Sequence, residues 1–160
     1  MISIERTHDF PLILNISTLK NKYLKEISFH RCILNNLDFS GSVLENIDCR
    51  SAEMIGTNFT TTTFNKCQLI MIVSHKACYD MCNFRGTLLL YSDFEGSTFK
   101  GADLSQCVIK KTKFKNCDLR GANLDCEGLE TCDLEGALYD DMTVWHKSYN
   151  VAAHGAIKVG

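Results

Sequence analysis

Residues 99–125 read FKGADLSQCVIKKTKFKNCDLRGANLD, and a large apolar residue occurs at every fifth position of this stretch. The same register runs without interruption from Phe29 to Tyr139, and seventeen of its twenty-three positions are Leu or Phe. Eight of the chain's nine phenylalanines fall on it. The residue two positions earlier is mostly small, and the residue immediately before is Asp or Asn nine times. The pattern therefore predicts a five-residue unit with one large and one small inward side chain.

This period matches neither regular element, because side chains return to one face every 3.6 residues or so in a helix and about every 2 in a strand. A repeat this short indicates a solenoid in which each five-residue unit forms one side of a coil. Seven of the ten glycines lie two residues after the large apolar position, as expected where the chain turns a corner.

Two of the units, residues 101–105 (GADLS) and residues 121–125 (GANLD), resemble the pentapeptide-repeat family, whose motif is A-(D/N)-L-x-x. The resemblance covers residues 27–141 without an insertion. It implies an all-β fold, a right-handed quadrilateral β-helix of about six coils with four units per coil. Residues twenty apart would then stack on one another and form aromatic columns through the core.

Both ends depart from the period. We predict an N-terminal cap segment at 1–26, the β-helix at 27–141 and a C-terminal cap segment at 142–160, since the end coils of a solenoid otherwise expose strand edges and core. We expect an irregular or short helical segment over the first coil, and a helical cap with Trp145 as a lid over the last. Residues 136–143 (GALYDDMT) also resemble a terminal motif common in cyanobacterial members of the family, which a short helical cap follows there.

The composition suggests a cytoplasmic protein that binds neither nucleic acid nor membrane. The formal net charge is −2, which gives no long-range attraction for either surface. The first residues lack the basic and apolar regions of a signal peptide, and no apolar run approaches the length of a membrane span. Nine cysteines suit a reducing compartment if they are free thiols.

No catalytic, cofactor-binding or metal-binding set is predicted, and no small-molecule substrate is evident. Most cysteines occupy the small inward position, where Cys behaves as a small hydrophobic residue. Cys78 points outward and Cys82 inward, so the pair cannot converge on one ion. His30 and His75 both follow a large apolar residue directly, which is an outward position, and we expect them to be surface histidines.

Two inward positions break the pattern. Ser74 replaces a large residue within its column, so we expect a small void or a buried water beside it. Glu127 falls at a small inward position, where an ionised carboxylate is costly unless it is paired or solvated. We expect the side of the coil to open locally around Glu127 rather than to form a catalytic site.

The candidate partner-binding residues are outward positions that carry apolar side chains in consecutive coils: Ile70, Met71, Leu88, Leu90, Tyr91 and Val108. Stacking at twenty residues would join them into one exposed patch rimmed by Arg50, Lys110 and Lys111. Such patches often mark partner or self-association surfaces. The alternative is that a terminal segment folds back over the patch.

Three functions remain open. The first is a non-enzymatic scaffold that binds a protein partner, or a second copy of the chain, through the patch. The second is topoisomerase (gyrase) protection by DNA mimicry, which some family members perform, although lysines between residues 100 and 115 interrupt the acidic surface. The third is an enzyme, for which no site is recognisable.

Overall fold

The computed structural model describes residues 1–151 and 154–160, and in it the chain forms a β-solenoid of about seven turns. Parallel pairing joins residues twenty apart in most coils: Leu24 with Leu44, Leu44 with Phe64, and Asp38 with Asn58. A register of twenty equals four five-residue units, so each coil has four short sides. The predicted all-β solenoid is confirmed.

The strands are short because each covers only one side of a coil. In chain order they are β1 (Ile2–Arg6), β2 (Asp9–Leu14), β3 (Tyr23–Lys25), β4 (Val43–Glu45), β5 (Thr63–Asn65), β6 (Gln68–Ile70), β7 (Leu88–Leu90), β8 (Val108–Lys110), β9 (Asn123–Leu124), β10 (Leu138–Tyr139), β11 (Val144–Trp145) and β12 (Ile157–Lys158). β3, β4 and β5 form one three-stranded sheet, and β6, β7 and β8 form another. Single bridges hold most of the remaining sides together.

The helical expectation for the N-terminal cap is wrong. β1 and β2 form an antiparallel hairpin, and the backbone of β1 then meets the first coil, where Ile33 N donates to Glu5 O at 2.8 Å. Alternate residues of the hairpin, including Ile4 and Leu12, pack on the core, which requires the two-residue period of a strand. Parallel stacking already begins with β3, within the segment predicted as a cap.

The C-terminal segment adds strands rather than an α-helix in the part of the chain that the structure describes. β11 continues the column above β9, and β12 pairs in parallel with β10. The Trp145 ring packs on the core and meets the Tyr139 ring edge-on at 5.5 Å. Ala152 and Ala153, which belong to the predicted cap, lie outside the described residues. Across the described residues no helix is long and apolar enough to cross a membrane.

Aromatic columns fill the core, as the spacing of twenty predicts. Phe39, Phe59, Tyr79 and Phe99 stack in succession with centroids 4.9–5.1 Å apart. All four side chains are fully buried. Stacked rings of this kind add about 0.5–1.5 kcal/mol per pair to the free energy of burial.

The small inward residues hold successive coils together with hydrogen bonds. Thr62 Oγ1 donates to the Phe39 carbonyl and Thr87 Oγ1 to the Phe64 carbonyl, at 2.8 and 3.0 Å. The Cys82 thiol donates to the Phe59 carbonyl in the same geometry. Ser, Thr and Cys therefore suit this position, because each is small and has a donor for a carbonyl that burial would otherwise leave unpaired.

Most of the glycines lie at corners of the coils, where the backbone adopts a left-handed conformation. Gly41 and Gly96 both have φ of 69°, a left-handed conformation that costs glycine little. Other residue types also adopt it here, among them Met71 and Tyr91 with φ of 55° and 56°. The stacked corners thus impose this conformation even on residues that disfavour it in isolation.

A hydrogen-bonded pair fills the space where we expected a void or a water. The Tyr79 phenol lies 2.7 Å from Ser74 Oγ, which in turn donates to the Met54 carbonyl at 3.3 Å. Both side chains are fully buried. Ser74 is therefore the polar partner of a buried tyrosine, and the missing bulk of its column is supplied by the tyrosine hydroxyl.

Glu127 points outward, which corrects the expectation that it faces the core. The ladder shortens by one residue here, because Val108 pairs with Glu127 instead of residue 128, and Cys126 takes the buried position. A 3-10 turn at Leu129–Thr131 restores the register before Asp133 pairs with Lys113. This irregular coil spares the carboxylate the cost of burial.

Candidate partner-binding surface

The sheet of β6, β7 and β8 positions the apolar side chains that the sequence singles out. Its central residues Leu69, Leu89 and Ile109 point into the core and are fully buried. Because neighbouring side chains on a strand point to opposite faces, the residues on either side of them point outward. Ile70 pairs with Leu90, and Leu88 with Val108, so these four side chains form two adjacent outward columns.

Met71 and Tyr91 extend this face at the adjoining corner. They are 56% and 51% exposed, and Val108 is 40% exposed, whereas Ile70, Leu88 and Leu90 are half-buried by their neighbours. We call the six residues the apolar face. Sequence reasoning missed Val73, which is 37% exposed just past the corner. Val73 pairs with Glu53 and Asp93, which are twenty residues away in the adjacent coils, so the repeat predicts that it points outward. Both of those neighbours are polar, and Val73 is therefore an isolated apolar residue in its column.

The described terminal segments do not cover the apolar face. The N-terminal hairpin contacts the first coil through Arg6 and Cys32. β11 and β12 pair with β9 and β10 at the opposite end of the solenoid. The face lies between these two ends, and Met71, Tyr91 and Val108 within it are exposed to solvent.

The two ends of the apolar face differ in charge. Arg50, in the coil before β6, is neutralised by Asp48, which accepts hydrogen bonds from its Nε and Nη2 at 2.9 and 2.7 Å. This pairing lowers the pKa of Asp48. Among the described residues, Lys110 and Lys111 make no ion pair, and Lys111 Nζ lies 5.9 Å from the centre of the Tyr91 ring. The face is therefore bordered at one end only by basic side chains without an ion-pair partner among the described residues.

A groove of about 310 Å³ adjoins that end, where the irregular coil leaves the sheet. It is lined by Val108, Lys110, Glu127, Gly128 and Glu130 among others. The groove exists because the 3-10 turn replaces the strand that would otherwise pair with β8. Val108 belongs both to the apolar face and to the groove, so the two form one continuous surface.

The buried thiols cannot act as nucleophiles in this fold. Burial raises the pKa of Cys67 to about 11, and it also raises the pKa values of Cys49 and Cys82 well above the ordinary range. All nine cysteines are free, and only Cys78 is partly exposed. A thiol this far from ionisation is inert near neutral pH, because the thiolate is the reactive form.

Together these features define a β-solenoid scaffold with five-residue sides and one apolar face. The family model for pentapeptide repeats matches residues 82–116 and 91–125. Residues 82–125 therefore carry pentapeptide repeats, and the same stacking continues through the coils on either side of the matched residues.

Several solved structures are similar to this chain at low identity. Rfr23, a pentapeptide-repeat protein from the cyanobacterium Cyanothece 51142, is 14% identical with a TM-score of 0.47, over 78% of this chain and 88% of that one. A trypsin-treated form of QnrB1, a plasmid-mediated fluoroquinolone resistance protein, is 14% identical with a TM-score of 0.41, over 87% and 88%. HetL from the cyanobacterium Nostoc is 16% identical with a TM-score of 0.29, over 88% and 87%. Likeness at this level carries no argument about function. No curated protein matches the chain.

Proposed function

We propose that this protein is a non-enzymatic scaffold that binds a protein partner through the apolar face. The observation that supports this best is the presence of six outward apolar side chains in three consecutive coils, at positions that are polar in most other coils. Burying apolar surface contributes about 25 cal/mol per Å² on association. A partner that covers Met71, Tyr91 and Val108 would gain this contribution.

A rigid support favours such a role. Leu69, Leu89 and Ile109 anchor the three strands in the core, so the outward side chains keep their spacing without a partner. Binding to a surface that is already ordered avoids part of the entropic cost of association. The unpaired Lys110 and Lys111 add a preference for a partner with acidic groups beside its apolar residues.

The charge distribution does not favour a DNA mimic. Lys113 pairs with Asp93 at 2.9 Å, and Lys115 with Glu135 at 2.7 Å, each across adjacent coils. These pairs neutralise carboxylates that a continuous acidic surface would need. The residues present therefore support a binding scaffold more directly than a substitute for duplex DNA.

Two methionines offer a matched test. Met71 lies on the apolar face and Met81 on another side, and both are exposed corner residues with φ of 55° and 59°. We expect the double variant Met71→Glu/Tyr91→Glu to lose a partner that the wild type and Met81→Glu both capture from a lysate of the source organism. Analytical ultracentrifugation would reveal whether that partner is a second copy of the chain.

The variants should fold normally, because surface substitutions change the free energy of unfolding by only about 0.5 kcal/mol. Urea denaturation checks this for each variant. Equal capture by the wild type and the double variant, together with equal molecular mass, would contradict the proposal.

A further inference from the structure

His75, Asp93 and Glu95 meet on the side of the solenoid that follows the apolar face. His75 and Glu95 are twenty residues apart and therefore stack in adjacent coils, and Asp93 is two residues before Glu95. One ligand atom from each of the three side chains lies within 4.8 Å of the others. One imidazole and two carboxylates thus lie close together on the surface.

The imidazole of His75 is incompletely satisfied. Its Nε2 atom is shielded from solvent and makes no hydrogen bond with the described residues. It nevertheless lies 3.2 Å from Asp93 Oδ1. Two ligands of one ion with bonds of about 2.1 Å lie about 3.0 Å apart at right angles and about 3.4 Å apart in a tetrahedron, so the observed separation fits a shared ion as well as a direct ion pair.

Hydrogen bonds hold Asp93 in place. The Glu95 backbone N–H donates to Asp93 Oδ1 at 3.1 Å, and Lys113 Nζ donates to Oδ2 at 2.9 Å. A carboxylate that such contacts already orient loses little further conformational freedom when it coordinates an ion. The Glu95 side chain is exposed and the His75 side chain is 38% exposed, so an ion from solvent can reach the edge of the cluster, although His75 Nε2 itself is shielded.

We propose that His75, Asp93 and Glu95 bind a divalent first-row transition-metal ion. Imidazole favours zinc, iron and nickel, whereas magnesium and calcium favour sites made of oxygen ligands alone. Three protein ligands leave further coordination positions for water or for a group from a partner. This site lies beside the apolar face, but it does not depend on partner binding there.

The positive charge of Lys113 should lower the affinity of this cluster for a metal ion. Its ammonium group is close to Asp93, and like charges in proximity repel, so it weakens the binding of a cation. Replacing it with an uncharged residue of similar shape should therefore strengthen metal binding. A purely structural role for the cluster, as a set of ion pairs, predicts no such gain.

The test is zinc titration by isothermal calorimetry, on protein that has been freed of metal with a chelator. We expect one bound Zn²⁺ per chain, an affinity loss of at least about tenfold for His75→Ala and for Glu95→Gln, and a gain for Lys113→Met. His30→Ala is the matched control, because His30 occupies the equivalent outward position but its Nδ1 contacts the Arg50 carbonyl at 2.8 Å. That variant should bind zinc as the wild type does.

Cobalt identifies the ligands independently, since thiolate coordination to Co²⁺ gives an intense near-ultraviolet absorption that nitrogen and oxygen ligands lack. We expect no such band, and urea midpoints of the variants near that of the wild type. Absence of binding at millimolar zinc, equal affinity for the wild type and His75→Ala, or a thiolate band would each overturn the proposal.

Discussion

The buried pair of Ser74 and Tyr79 allows a quantitative test of how the core tolerates a polar residue. Burial raises the pKa of Tyr79 well above its ordinary value, so the phenol keeps its proton. Because the Ser74 hydroxyl donates to the Met54 carbonyl, the phenol is the donor to Ser74 Oγ. Ser74→Ala would leave that phenol buried, with only Met54 Sδ nearby at 3.7 Å. A buried donor without a good acceptor costs about 1–3 kcal/mol.

Tyr79→Phe should cost less, because Ser74 keeps its bond to the Met54 carbonyl at 3.3 Å. We expect a loss of about 0.5–1.5 kcal/mol, the net value of one hydrogen bond. The double variant removes donor and acceptor together and leaves no orphaned group. Its loss should therefore fall short of the sum of the two single losses by about 1 kcal/mol or more.

Urea denaturation of the four proteins measures this coupling. With a slope of about 2 kcal/mol per molar urea, a coupling of that size shifts the midpoint by about 0.5 M. Circular dichroism and tyrosine fluorescence must give coincident transitions, since repeat proteins can unfold in stages. Losses that add to within about 0.3 kcal/mol would refute the paired role of Ser74 and Tyr79.

Two further predictions concern the irregular coil and the thiols. Gly128→Ala should destabilise the fold by at least about 2 kcal/mol more than Gly86→Ala in urea denaturation, because a Cβ at Gly128 would overlap the Ile109 carbonyl oxygen, whereas Gly86 has open space and a similar positive φ. Equal losses would show that this coil relaxes freely. A thiol reagent at pH 8 should modify only Cys78 in the native protein and all nine cysteines in urea, since the others are buried and protonated. Rapid native modification of more than one thiol would contradict this.

The repeat predicts the core almost completely. Because the period assigns every residue between 29 and 139 to an inward or an outward position, the stacking of Phe39 on Phe59 and of Phe64 on Phe84 follows from their separation of twenty. The same separation brings Ile70 beside Leu90 on the outer surface. Whether that outer surface binds a partner stays a prediction.

The errors arise where local interactions override the period. The five-residue period assigns Glu127 to an inward position, but the pairing at Val108 is one residue shorter than twenty and Glu127 points outward. The 3-10 turn then restores the spacing of twenty. Burying a carboxylate costs more than this break in the ladder. The N-terminal residues were expected to be irregular or helical. The alternation of apolar and polar residues in Ile2–Arg6 instead suits a strand, and the hairpin covers the exposed edge of the first coil.

The cluster of His75, Asp93 and Glu95 was missed for a different reason. Each residue is an ordinary outward polar residue when the chain is read along its length, and no metal-ligand spacing is present. Only the return of the chain after twenty residues brings the imidazole to the carboxylates. Aligning all outward residues that are twenty apart, including the polar ones, would have predicted the stacking of His75 and Glu95.

The amino-acid sequence by itself determined the solenoid, its core columns and the inward direction of most cysteines, because a strict period repeats one local choice of side-chain direction in every coil. Only the tertiary structure decided the rest. It determined how the ends are covered, where Glu127 points, which hydroxyl satisfies Tyr79 and which charges near the apolar face are neutralised. Those outcomes depend on contacts between coils, whose distances and hydrogen-bond geometry a linear repeat does not encode.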